Sequence, residues 1–195
     1  MKIKLNPLPY QSFLDKRQAQ EIELLVIHCT ELPDLALART YGERVLYPSG
    51  TGNSGHYYID RDGSVSCWVF PEYVAHHVAN HNKNSIGIEL VNVGRYPNWF
   101  DSKSQTPTEQ YTQAQITALN QLINWLTNRF TELKHIVGHQ DLDQRLITAS
   151  DDPNKQVHRK IDPGPLFPWN QVMPQTTLIN IGSNAQHPPI NEKQS

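Results

Sequence analysis

Residues 23–28, Glu-Leu-Leu-Val-Ile-His, constrain the fold more than any other stretch of the chain. Four consecutive apolar residues, Leu24, Leu25, Val26 and Ile27, cannot alternate between core and solvent, so the run reads as an interior strand of a sheet covered on both faces. A second strand is predicted at Ser85–Asn92, where Ile86, Ile88 and Leu90 share one face and Gly87, Glu89 and Val91 the other. Glu89 therefore sits in mid-strand beside a residue without a side chain, an odd place for a solvated carboxylate. Ile136-Val137 forms a third strand and ends in Gly138-His139.

The strongest helix signal lies between the second and third strands. Thr112-Gln-Ala-Gln115 is a capping box, and Ile116, Leu119, Leu122, Ile123, Leu126 and Phe130 recur at spacings of three and four, a face suited to packing on the sheet. A shorter helix is expected after Pro33-Asp34. His56–Asp60 and Ser64–Val69, joined through Asp62-Gly63, read as a hairpin. Residues 94–107 form a long polar loop carrying Tyr96, Trp99 and Phe100, aromatic groups able to stack on a sugar or line a cleft, and loops of this length are often functional. The polar segment 142–158, with a turn at Ser150-Asp-Asp-Pro153, reads as an insertion.

These elements predict one α/β domain with a central mixed sheet flanked by helices and a site at one end of the sheet. The boundaries are an irregular lead-in over residues 1–20, the domain over 21–174, and a disordered tail over 175–195. A chain of 195 residues suits one domain. Its formal charge of −2 gives no electrostatic reason to expect a nucleic-acid partner. Polar residues and prolines break up any apolar stretch near the N-terminus, and no run approaches the roughly 20 residues of a membrane span. A cytoplasmic monomer with no membrane partner is expected, with Cys29 and Cys67 as free thiols.

His28 and His139 each end an apolar strand, and ligands of α/β sheets bind at the carboxyl ends of strands. Lys160-Ile-Asp162-Pro-Gly164-Pro adds a carboxylate on a turn fixed by prolines. Two imidazoles and one carboxylate could hold a catalytic Zn²⁺ with one position open. Neither histidine lies in a compact zinc motif, Asp-Pro-Gly is also an ordinary turn, and His56, His76, His77, His81, His135 and His158 are further candidates.

Read in order, Val26-Ile-His28, Ser54-Gly-His56, Ala75-His-His77, Ser85-Ile-Gly-Ile-Glu-Leu90, Gly138-His-Gln-Asp141 and Arg159-Lys-Ile-Asp-Pro-Gly-Pro165 resemble the AmpD-type zinc N-acetylmuramoyl-L-alanine amidases. These belong to a superfamily that also holds phage amidases and animal peptidoglycan-recognition proteins. The resemblance spans roughly residues 22–172. It implies zinc on His28, His139 and Asp162 and catalytic roles for Glu89 and Lys160; Arg159, His77 and His56 are the expected substrate contacts. Phage and animal relatives carry a catalytic tyrosine at the place of Gly55, a departure that points to the AmpD branch. The implied reaction is cleavage of the amide between N-acetylmuramic acid, or its 1,6-anhydro form, and L-alanine of the stem peptide, in peptidoglycan turnover. The alternatives are a non-catalytic peptidoglycan-binding module of the same fold and an exported or phage-type amidase cutting polymeric wall.

Overall fold

The all-apolar run becomes an interior strand buried at every position. In a computed structural model that describes residues 1–183, it is β2 (Leu24–Cys29) of a seven-stranded sheet. The other members are β1 (Ile3–Leu5), β3 (Tyr57–Ile59), β4 (Val65–Cys67), β5 (Ser85–Leu90), β6 (His135–Gly138) and β9 (Ile179–Asn180). Their order is β1-β4-β3-β5-β2-β6-β9, and all neighbours run parallel except the β3–β4 hairpin. The expected mixed sheet is thus present. A separate antiparallel hairpin, β7 (Leu146–Thr148) and β8 (Gln156–His158), lies within the 142–158 segment.

Period-two alternation divides the central strands between two layers. Leu25, Ile27, Ile86, Ile88, Leu90 and Ile136 join the core beneath the long helix α2 (Gln113–Arg129), whose Ile116, Leu119, Leu122, Ile123 and Leu126 are buried against them. Each such side chain contributes roughly 1.5–3 kcal/mol on full burial, so packing rather than helix propensity holds α2 in place. The capping box forms as expected: Gln115 N–H donates to the Thr112 hydroxyl at 3.1 Å and Thr112 N–H to Gln115 Oε1 at 3.0 Å. On the opposite face Tyr58 and Trp68 stack at 3.5 Å within a second cluster that reaches the short helix α1 (Leu35–Gly42). Asp34 caps α1 by accepting from Leu37 N–H at 2.7 Å.

Two expectations at the ends of the chain need correction. Residues 1–20 are not merely a lead-in, because β1 pairs with β4 and Leu8, Tyr10 and Leu14 enter the second core cluster. Their irregular spacing along a non-repeating segment leaves no helix or strand period to detect. Likewise residues 175–183 include β9, a two-residue parallel partner of β6 anchored by the buried Leu178. Two residues are too few to show alternation. The remainder of the expected tail, residues 184–195, lies outside the described residues.

Candidate metal centre and active-site cleft

The face of the sheet opposite α2 carries the chemistry. Parallel register sets His28 of β2 beside Glu89 of β5, and Glu89 beside Tyr58 of β3, in one row across three strands. His139 follows β6 directly as the first residue of the short helix α3 (His139–Leu142). Asp162 arrives on a turn that Gln140 grips from two sides, its N–H donating to the Asp162 carbonyl at 2.9 Å and its Oε1 accepting from Gly164 N–H at 3.2 Å. The Tyr111 hydroxyl adds a bond to the Pro163 carbonyl at 2.7 Å. The carboxylate is therefore docked onto the histidine turn although 23 residues separate them.

One oxygen of Asp162, Oδ2, lies 3.0 Å from His28 Nδ1 and 3.1 Å from His139 Nδ1. The three ligand atoms fall within 4.8 Å of one another and all three residues are buried. Two imidazole nitrogens and a carboxylate are a donor set that Zn²⁺ takes. The second oxygen of Asp162 is buried with no hydrogen-bond partner among the described residues, which is costly for a carboxylate unless a cation meets it. The residues fit a divalent metal. Burial, then the neighbouring His139 charge, lowers His28 to about 4, with Asp162 opposing. Burial acts in the opposite sense on Asp162, raising it, but His139, Lys160 and the two imidazole contacts hold its carboxyl well below the usual range.

Glu89 approaches this centre with Oε1 3.9 Å from His28 Nδ1. Burial, then the Asp162 charge, pushes it up to about 8 against the opposing pull of Lys160. Two glycines leave room for side chains at this centre. A Cβ at Gly55 would fall 2.8 Å from Glu89 Cγ, and one at Gly87 would fall 2.6 Å from His77 Nδ1. Gly55 thus leaves Glu89 the space that a side chain at that position would fill.

A cleft of about 750 Å³ opens over the centre, within the usual range for ligand sites. His28, Glu89, His139, Lys160, Asp162, His77 and Arg159 line it, as do Trp99 and Phe100 of the long loop, whereas Tyr96 packs against Trp99. Among the candidate substrate ligands, Arg159 lies on the rim and shares Asp143 with Arg145. His56 is corrected: it is fully buried behind the cleft, with Nδ1 accepting from Gly87 N–H at 3.1 Å and Nε2 against the Arg17 guanidinium at 2.9 Å. The spacing of the Ser54-Gly-His56 element could not distinguish a cleft-facing imidazole from one turned into the core.

Sequence reasoning passed over several supporting residues. Gln140 lies within Gly138-His-Gln-Asp141, where no local signal marks its grip on the Asp162 turn. The buried pair Glu31–Arg95, with contacts of 2.7 and 2.8 Å, also carries bonds from Arg95 to the His158 and Arg159 carbonyls. Arg95 thereby holds the strand leading to Lys160. No local spacing advertises such a pair, since its partners lie 64 residues apart.

Comparison with known proteins finds related chains. A family model described as N-acetylmuramoyl-L-alanine amidase matches residues 18–165. The Escherichia coli (strain K12) N-acetylmuramoyl-L-alanine amidase AmiD is 29% identical over 205 residues, taking in 90% of this chain and 65% of AmiD. The chain therefore spans less than two thirds of that curated relative. Among solved structures, a selenomethionine derivative of AmpD superposes with a TM-score of 0.62 at 25% identity, covering 90% of this chain and 94% of that one. A complex of E. coli AmiD with anhydro-N-acetylmuramic acid-L-Ala-D-γ-Glu-L-Lys gives a TM-score of 0.60 at 27% identity, covering 82% of this chain and 60% of AmiD. Pseudomonas aeruginosa AmpDh3 in complex with an anhydromuramic pentapeptide gives 0.61 at 26% identity, with coverage of 83% and 62%.

Proposed function

The chain belongs to the N-acetylmuramoyl-L-alanine amidase family, and from that membership we propose that it hydrolyses the amide joining N-acetylmuramic acid to L-alanine of the stem peptide, with Zn²⁺ as cofactor. The observation that carries the reading is the approach of Glu89 to within 3.9 Å of His28 Nδ1, beside a buried two-histidine, one-aspartate cluster. His28, His139 and Asp162 would hold the metal. When bound, Zn²⁺ supplies Lewis acidity, activating water near neutral pH and polarising a carbonyl.

The chain's own groups supply the proton transfers. Glu89, which a cation on the neighbouring ligands would hold ionised against the effect of burial, accepts a proton from the attacking water and delivers it to the alanine nitrogen as the C–N bond breaks. The products leave as the muramyl carboxylate and the alanine ammonium. Lys160, on the same cleft wall, faces the negative charge that develops on the carbonyl oxygen. Arg159 offers the rim a guanidinium for a stem-peptide carboxylate. Since AmiD and AmpDh3 are found with anhydromuramyl peptides, a small 1,6-anhydro-muropeptide is the substrate favoured here, which sets the reaction in peptidoglycan turnover.

The test pairs zinc content with peptide release from a 1,6-anhydro-muropeptide and from intact sacculi. The parent should bind about one zinc and release peptide faster from the small substrate. Glu89→Gln should keep zinc while losing ~10²–10⁴ in rate. Full turnover by Glu89→Gln would remove Glu89 from the mechanism. Zinc binding with capture but no cleavage of either substrate would replace the enzyme by a binding module.

A further inference from the structure

His77 lines the cleft, yet neither ring nitrogen is free for a substrate. Its Nδ1 lies 3.0 Å from His28 Nε2, and its Nε2 lies 3.2 Å from the Ser85 hydroxyl. Ser85 Oγ is in turn 2.6 Å from the His81 carbonyl. These contacts form a chain from the candidate metal ligand to a backbone acceptor, and its direction follows from elementary valence.

The carbonyl of His81 can only accept, so the Ser85 hydroxyl donates to it. The hydroxyl lone pairs then accept from His77 Nε2–H, and a neutral imidazole protonated at Nε2 presents a bare Nδ1. That nitrogen accepts from His28 Nε2–H. A neutral His28 protonated at Nε2 has its lone pair on Nδ1, the atom that faces Asp162 Oδ2 at 3.0 Å. In the reverse orientation His28 would carry its proton on Nδ1, where it donates to Asp162 and blocks ligation, and the Ser85 hydroxyl would turn away from the His81 carbonyl, leaving that oxygen Asn84 N–H at 3.2 Å alone. Only the first direction keeps the 2.6 Å bond from Ser85 to the His81 carbonyl and leaves His28 Nδ1 bare for a metal.

The surroundings hold His77 in that pose. The bare Gly87 lets the ring lie against β5, where a Cβ would come within 2.6 Å of Nδ1. His56 packs edge-on behind it with centroids 5.5 Å apart, and the Asn82 side chain accepts from His77 N–H at 3.0 Å. We propose that His77, backed by Ser85, is a positioning residue that fixes the orientation and tautomer of His28 for metal binding, rather than a substrate ligand. This rests on the reading of His28 as a ligand. Partners of ligating imidazoles commonly matter about 10- to 100-fold in metal affinity.

The experiment measures zinc affinity of the full chain by competition with a chromophoric chelator, without substrate. His77→Leu, which removes the acceptor, should weaken zinc binding about 10- to 100-fold, whereas His77→Asn, whose Oδ1 can replace Nδ1, should recover most of the loss. Affinity within about twofold of the parent in a folded His77→Leu chain, or equal weakness of both variants, overturns the positioning role. A second reading uses the zinc-loaded parent, whose His28 Nε2–H should appear in ¹⁵N-resolved spectra with a coupling across the hydrogen bond to His77 Nδ1. A His28 protonated on Nδ1 would defeat the inference even if His77→Leu failed to fold. A parent that bound no zinc would overturn the metal reading and this one together, so the two failures are distinguishable.

Discussion

At the scale of single residues, the site depends as much on missing side chains as on those present. Gly55 and Gly87 stand where a Cβ would strike Glu89 and His77 respectively. Gly55→Ala should therefore displace Glu89 and lower kcat, on the order of 10²-fold if the carboxylate moves by about 1 Å, while zinc content stays at the parental level. Steady-state kinetics with metal analysis checks this, and an unchanged kcat would show that Glu89 has room to yield. His28, His139, Asp162, Glu89 and Lys160 were legible in the sequence because each lies in a short motif and their order matches a family pattern. Ser85 and Gln140 lie within those motifs, but each acts through contacts that only the folded chain creates. His56 shows the opposite failure: its motif was legible, but which way its ring turns depends on Arg17, 39 residues earlier.

At the scale of elements, the β7–β8 hairpin orders the polar insertion beside the cleft, which takes Arg145 and Arg159 from the hairpin's two ends. Ser150 N–H donates to the Phe100 carbonyl at 2.8 Å, and Asp151 accepts from Ser102 N–H and hydroxyl at 2.7 and 2.9 Å, which fastens the hairpin to the long loop. At its base Asp143 takes two bonds of 2.7 Å from Arg145 and a further bond from Arg159. The hydrogen bonds from Arg145, followed by those from Arg159, outweigh the effect of burial and hold the Asp143 carboxyl well below the usual carboxylate range. Because the folded value is depressed, this interaction stabilises the protein above the ordinary carboxylate pKa of about 4 and is lost as pH falls below it. The urea midpoint of Asp143→Asn should trail the parent near neutral pH, and the gap should narrow as acid approaches pH 3. A gap that widened in acid would contradict the clamp. The same variant frees both arginines at the rim and should raise KM more than it lowers kcat. The hairpin escaped the sequence because Leu146 and Gln156 are exposed and only Ala149 and Val157 reach the interior.

At the scale of the whole molecule, the interior strands and α2 were legible because uninterrupted apolar runs and a helical period report burial directly. The sheet edges were not, since β1 and β9 are three and two residues long and held by pairing to their neighbours. What joins the layers around the cleft is still less visible locally: the Glu31–Arg95 pair, whose side chains are only 9% and 1% exposed. Glu31 follows β2, Arg95 belongs to the long loop, and the guanidinium also binds the carbonyls of His158 and Arg159. Three distant segments thus meet on one cation. Removing either partner leaves the other charge buried without its counterion, which typically costs about 3–5 kcal/mol. For a chain of this size that corresponds to a fall in Tm of roughly 6–20 °C. Glu31→Gln and Arg95→Met should each show it, whereas the double variant should cost less than the sum because no uncompensated charge remains. Thermal unfolding of the four proteins closes the cycle. Strict additivity would mean that the two groups act separately, and that Arg95 holds the Lys160 segment through its carbonyl bonds alone.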